Sequence, residues 1–146
     1  MSTWLRQQTS LTLRLAFEAT EAALELATRL EVRVSLVALD GAGIAIHSAH
    51  MDGAPRPAQA IALNKALTAA GFGIPTADWA ARLEQCSSAV RQGLPLQPDL
   101  ALFGGGEPFI HDGQVIGAIG ASGASEAVDS LCAKAAVERV QTLLQR

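Results

Sequence analysis

The chain has 146 residues and a formal net charge of −3; 49% of its residues are hydrophobic and 17% are charged. This length suits one domain over residues 1–146, which buries roughly 70% of its unfolded surface without disulfides or metals. No basic run is present, which argues against a nucleic-acid partner. No membrane span or secretion signal is recognisable, and Cys86 and Cys132 form no paired motif, so a cytoplasmic protein with reduced thiols is expected.

The first half of the chain predicts a helix, a β-hairpin and a second helix. Apolar and small residues spaced by three and four predict a helix over residues 13–30. Two β-like runs, 33–39 and 44–50, flank a short Asp/Gly segment, which is typical of a hairpin. The second helix is expected to begin at Pro57 and to end at Gly71 or Gly73.

The second half predicts a short helix over residues 76–85, a loop over 87–99 and a short buried strand over 100–103. Asp112-Gly113 lies between two β-like runs and is the strongest local hairpin signal in the chain. A last helix is expected over residues 125–144. Two hairpins and one further strand predict an α+β fold with a five-stranded, mainly antiparallel sheet and helices packed on it.

Three glycine-rich segments resemble loops that bring backbone close to a ligand. Residues 41–46 begin like a dinucleotide-binding loop, but they lack its third glycine and join two strands, which excludes that interpretation. The glycines of residues 117–123 precede a helix, where an anion can bind, although close packing of strand on helix explains them better. Three consecutive glycines at 104–106 indicate either a tight connection or a flat ligand against bare main chain.

Few side chains have the spacing of a known catalytic or metal site. Residues 120–124 do not match a serine-nucleophile motif, and the three histidines match no zinc site. His47 and His50 point to opposite faces of a strand and cannot bind one ion together. His50 can ligate haem iron as a neutral imidazole, or it is an ordinary surface histidine. Lys65, on a largely apolar helix, either extends along the surface or binds an acid such as a propionate.

Four blocks of sequence occur in a specific order and spacing. They are Val37-Ala38-Leu39-Asp40 with Gly43; Met51-Asp52-Gly53-Ala54-Pro55; Lys65-Ala66-Leu67-Thr68-Ala69 with Pro75-Thr76; and Gly104-Gly105-Gly106-Glu107-Pro108 with Gly113, Gly117-Ala118-Ile119-Gly120 and Ser122-Gly123. With these blocks the chain resembles the GlcG/HbpS family over nearly its whole length. That family includes haem-binding and haem-degrading proteins and the C-terminal domain of PduO-type corrinoid adenosyltransferases. The resemblance implies a profilin- or PAS-like sandwich and a homo-oligomer.

The resemblance also implies a ligand site near Met51, Lys65 and the triple glycine. The leading hypothesis is a protein that binds haem or a related tetrapyrrole, in a catabolic or haem-handling context. His50 would then ligate the iron, Gly104, Gly105 and Gly106 would lie against the ring, and Lys65 would contact a propionate. The family commonly has Arg before Met51, so His50 exchanges an obligate cation for a group that can ligate iron or titrate.

Two alternatives stay open at this point. The first is a small catabolic isomerase or hydrolase acting on an organic acid, in which His50, Asp52 and Lys65 serve as acid, base and carboxylate clamp. The second is a non-catalytic accessory subunit of a catabolic complex, which the apolar composition and the lack of a catalytic triad favour.

Overall fold

The computed structural model describes residues 2–145. In chain order they form α1 (Leu13–Arg29), β1 (Ser35–Asp40), β2 (Ala45–His50), α2 (Ala58–Phe72), α3 (Trp79–Glu84), α4 (Ser88–Gly93), β3 (Gly106–His111), β4 (Gln114–Ser122) and α5 (Glu126–Leu144). Both predicted hairpins are present, as are the three long helices. Within the described range, no helix is both long enough and apolar enough to cross a bilayer.

The sheet is antiparallel and has four strands in the order β2-β1-β4-β3. The α+β class is therefore confirmed, but the prediction of five strands is wrong, because residues 100–103 form no strand. The amide of Ala101 donates to the hydroxyl of Thr68 on α2 at 2.9 Å. This backbone group thus bonds to a helix side chain instead of a neighbouring strand.

The predicted loop over residues 87–99 is also wrong in part, since it contains α4. The hydroxyl of Ser87 accepts a hydrogen bond from the amide of Val90 at 3.3 Å and caps this short helix. The Pro and Gly residues of the segment are typical of a loop, whereas Ser87 is the local signal for a helix. Two of the three long helices, α1 and α5, begin in the same way, at Thr12 and Ser125.

Helices cover both faces of the sheet. On one face, α2 packs Ala62 and Ala66 against Val37 and Leu39 of β1. On the other face, α1 and α5 pack on a larger cluster around Ile119 of β4. Apart from Val140 of α5, the buried positions that these two helices contribute to the cluster are small: Ala16, Ala19, Ala23 and Ala27 of α1, and Cys132, Ala133 and Ala136 of α5. Small side chains allow the two helices to approach each other closely.

Gly120 of β4 is required by the contact between the sheet and α2. A Cβ atom added there would overlap the carbonyl oxygen of Ala62 and lie 2.8 Å from the amide nitrogen of Ala66. Packing therefore accounts for this glycine, which is the interpretation that the sequence favoured.

We expect Gly120→Ala to lower the free energy of unfolding by about 1–3 kcal/mol, because α2 must shift away from the sheet. Urea denaturation followed by circular dichroism measures this loss. Gly71→Ala is the matched control on α2, since a Cβ there meets no atom within 4 Å. Equal stability of the two variants would contradict the close contact.

Candidate functional site

A cleft of about 650 Å³ lies at the C-terminal end of α1. Its lining comes from α1, the connection to β1 and the end of β2, and comprises Leu24, Thr28, Glu31, Val32, Arg33, Ala49, His50, Met51 and Asp52. These segments meet because β1 begins shortly after α1 ends, and Ser35 of β1 pairs with His50. Small-molecule sites usually measure roughly 300–1,000 Å³, so the cleft is of suitable size.

His50 ends β2 and is solvent-exposed. Its Nε2 atom lies 3.2 Å from the carbonyl oxygen of Ala54. In the neutral tautomer that carries its proton on Nε2, the ring donates to this carbonyl and keeps the lone pair on Nδ1. A histidine that ligates a metal through one ring nitrogen is commonly oriented by a hydrogen bond from its other ring nitrogen, as here.

Met51 is held against the start of β1. Its Sδ atom accepts a hydrogen bond from the amide of Val34 at 3.3 Å, and its own amide donates to the carbonyl of Val34 at 3.0 Å. The side chain also packs against the main core cluster. Met51 therefore forms part of the cleft wall, with its sulfur already engaged by the backbone.

Arg33 supplies a positive charge to the same cleft. A Cβ atom at Gly53 would lie 2.5 Å from Nη1 of Arg33, so the guanidinium rests against the bare backbone of this turn. Arg33 makes no ion pair with any residue between 2 and 145. Sequence reasoning did not single out this residue; the one available signal was the glycine that follows Met51-Asp52.

Lys65 is buried at a different place in the fold. Only 1% of its side chain is exposed, and Nζ donates to the carboxylate of Asp129 at 3.1 Å and to the carbonyl of Ala121 at 3.0 Å. Phe103 covers it, with the ring centroid 4.9 Å from Nζ. Burial lowers the pKa of Lys65, and the nearby Asp129 opposes this shift. Of the two alternatives for Lys65, the surface position is therefore wrong, because an acid on α5 binds the ammonium inside the protein.

The three glycines at 104–106 lie next to this ion pair and to the residues around it. Gly105 has a φ of 128°, and a Cβ atom there would lie 2.7 Å from Nζ of Lys65. A Cβ at Gly104 would lie 2.6 Å from the hydroxyl of Ser130. The amide of Gly106 donates to the hydroxyl of Thr76 at 2.8 Å. In the described chain, backbone and side-chain atoms of the protein itself, including the carbonyl oxygens of Ala121 and Lys65, make the close approach that requires glycine here.

The predicted site residues thus form two groups. His50, Met51 and Asp52 line the cleft, whereas Lys65 and the triple glycine are absent from its lining among the described residues. Strands β1 and β4 lie between the two groups, since Ser35 pairs with both His50 and Ser122. Within residues 2–145, no cluster of three or more His, Cys, Asp or Glu could hold a metal ion. Of the predicted residues, the His50 group has the geometry of a ligand site.

Comparison with known proteins identifies the family. The chain is similar to the Klebsiella pneumoniae protein ORFY, with 30% identity over 97% of each chain and a TM-score of 0.88. A double mutant of Streptomyces reticuli HbpS shares 31% identity over 94% of this chain and 92% of its own, with a TM-score of 0.84. A PduOC:heme complex shares 28% identity over 88% and 94%, respectively, with a TM-score of 0.80.

The family model described as "Haem degrading protein HbpS-like" matches residues 11–138. The matched range contains both the His50 cleft and the Lys65–Asp129 pair. The chain therefore belongs to the HbpS-like (GlcG/HbpS) family.

Proposed function

We propose that the chain binds haem, or a related tetrapyrrole, in the cleft that His50 lines, and that it acts in a catabolic or haem-handling context. The observation that carries this proposal is an exposed histidine, oriented by a backbone carbonyl, on the wall of a cleft of about 650 Å³. The solved haem complex of a related protein supports the same ligand class.

The chemistry of the cleft fits a haem. Leu24, Val32 and Met51 offer apolar surface to a porphyrin ring, and His50 offers a nitrogen to its iron. Arg33 offers a planar cation to a propionate, a role that the sequence assigned to Lys65. Lys65 is less suited to it because its ammonium is already paired with Asp129. A bound haem would supply an iron centre, which His50 would ligate, and Arg33 would hold a propionate of the same group.

The proposal includes a homo-oligomer. Large apolar side chains are exposed on several elements of the chain. Surfaces with such side chains are typical of contacts between subunits. They include Phe17, Ile44, Phe72, Phe103 and Leu131. Size-exclusion chromatography with light scattering tests this part of the proposal independently of haem.

The enzyme hypothesis has less support from the geometry. It requires His50, Asp52 and Lys65 to act on one substrate, but Lys65 does not line the cleft that the other two share in the described chain. The side chain of Lys65 is 1% exposed, and its ammonium is bonded to Asp129. We therefore prefer a binding function for this cleft.

Titration with haem tests the function. We expect a Soret band that saturates with added haem in the wild-type protein and is lost or weakened at least tenfold in affinity in His50→Ala. The histidine is exposed, so its replacement should leave the fold intact. His47→Ala is the matched control on the same strand, because the His47 ring packs on Phe17 with ring centroids 4.3 Å apart.

Three results would contradict the proposal. Unaltered haem binding in His50→Ala would remove His50 from the iron, and equal losses in His47→Ala and His50→Ala would indicate a nonspecific effect. A colourless wild-type protein after incubation with excess haem would overturn the ligand class itself.

A further inference from the structure

A second cavity, of about 630 Å³, lies at the N-terminal end of α1. It is open to solvent and is lined by the segment before α1, the first turns of α1, the β3–β4 hairpin and the end of α5. Its lining comprises Thr9, Ser10, Leu11, Thr12, Arg14, Leu15, Glu18, His111, Ile116, Arg139, Leu143 and Leu144. None of these residues lines the His50 cleft.

The two cavities have no lining residue in common. Along α1, their nearest lining residues are Glu18 and Leu24. A rise of 1.5 Å per residue places these two positions about 9 Å apart along the helix. The cavities are therefore neighbouring but distinct sites.

The floor of the second cavity is apolar and well fixed. Leu11 and Ile116 are buried, and the amide of Leu11 donates to the carbonyl of Ile116 at 3.0 Å. Leu15 and Leu143 extend the apolar surface along α1 and α5. Such a surface binds a hydrocarbon chain, because contact removes apolar area of both partners from water.

The rim carries positive charge that the protein neutralises only in part. Arg139 donates to the carboxylate of Glu18, at 2.9 Å from Nη2 and 3.3 Å from Nε, so these two charges offset each other. His111 lies 3.5 Å from Asp112. Arg14 makes no ion pair with any described residue. The unmatched charge at the cavity is therefore a guanidinium, which binds carboxylates through paired hydrogen bonds.

We propose that this cavity binds a monocarboxylic acid with an aliphatic tail, as a second ligand site distinct from the His50 cleft. Arg14 binds the carboxylate at the rim. Leu11, Leu15 and Ile116 contact the tail. The inference is independent of haem binding, since the two cavities share no residue.

The test is titration of the full-length protein with octanoate, followed by two-dimensional amide NMR and by calorimetry. We expect saturable shifts at Leu15 and Ile116 and a dissociation constant at least tenfold higher in Arg14→Gln. Octanol, which has the same tail without the charge, should bind at least tenfold more weakly than octanoate. Arg29→Gln is the matched control, because Arg29 lies on the same helix outside the cavity.

Several outcomes would overturn this inference. They are the absence of saturable shifts, equal affinity for octanol and octanoate, and equal losses in the Arg14 and Arg29 variants. Haem titration of Arg14→Gln separates the two sites: its Soret band should match that of the wild type. Loss of haem binding with intact octanoate binding in His50→Ala would complete the separation.

Discussion

Asp129→Ala should lower the free energy of unfolding by about 3–5 kcal/mol, because it leaves the ammonium of Lys65 buried without its carboxylate. The side chains of Lys65 and Asp129 are only 1% and 3% exposed. Asp129 also accepts a hydrogen bond from the amide of Ala124 at 2.9 Å, so the variant leaves that group without its partner as well. Urea denaturation at neutral pH measures the loss.

A double variant distinguishes the charge from the loss of packing. Lys65→Met combined with Asp129→Leu removes both charges, and it should recover a large part of the lost stability, because apolar replacement of a buried ion pair is often neutral. The surface pair of Arg139 and Glu18 is the matched control: its side chains are 38% and 37% exposed. Glu18→Ala should cost at most about 1 kcal/mol. A similarly small loss in Asp129→Ala would contradict the buried pair.

Glu107 should make the stability of the protein fall as the pH rises from about 4.5 to 7. Burial raises the pKa of its carboxyl group from 4.5 to about 7, Asp78 adds to the shift and Lys134 opposes it. Its Oε2 atom is buried without a hydrogen-bond partner among the described residues. Between these pH values the folded chain keeps a proton that the unfolded chain has lost, so raising the pH favours unfolding by up to about 3 kcal/mol.

Glu107→Gln should remove this dependence, since the amide stays neutral. At pH 8 the variant should be more stable than the wild type by up to about 3 kcal/mol, and near pH 4.5 the two should be alike. Denaturation curves collected from pH 4.5 to 8 measure the difference. Glu138→Gln, at an exposed position of α5, should change stability by less than about 0.5 kcal/mol throughout. Parallel pH profiles for wild type and Glu107→Gln would refute the argument.

The elements that could be predicted from the sequence are those with a strong local signal. The three- and four-residue spacing of small residues located α1, and Asp112-Gly113 located the hairpin of β3 and β4. Residues 100–103 are equally apolar, but their backbone bonds to Thr68, which is 33 positions away from Ala101. A local pattern contains no information about such a partner, and the fifth strand was therefore predicted wrongly.

In the candidate site, too, the local features could be predicted from the sequence, whereas contacts between distant residues could not. His50, Met51 and Asp52 are adjacent in sequence, so a cleft that contains one of them is expected to contain the others. Lys65 and Asp129 are 64 positions apart, and their pairing depends on how α2 and α5 are placed about the sheet. The role of Arg33 follows from its close approach to Gly53. The glycine indicates that some group comes close to the backbone there, but it does not identify Arg33 as that group.

The alanines that α1 buries have a mechanical consequence. Alanine has no side-chain torsion that could rotate to accommodate a neighbour, so the buried positions Ala16, Ala19, Ala23 and Ala27 cannot adjust locally. At these four positions, a displacement of the helix is therefore passed on to the neighbouring element instead of being absorbed by rotation of a side chain.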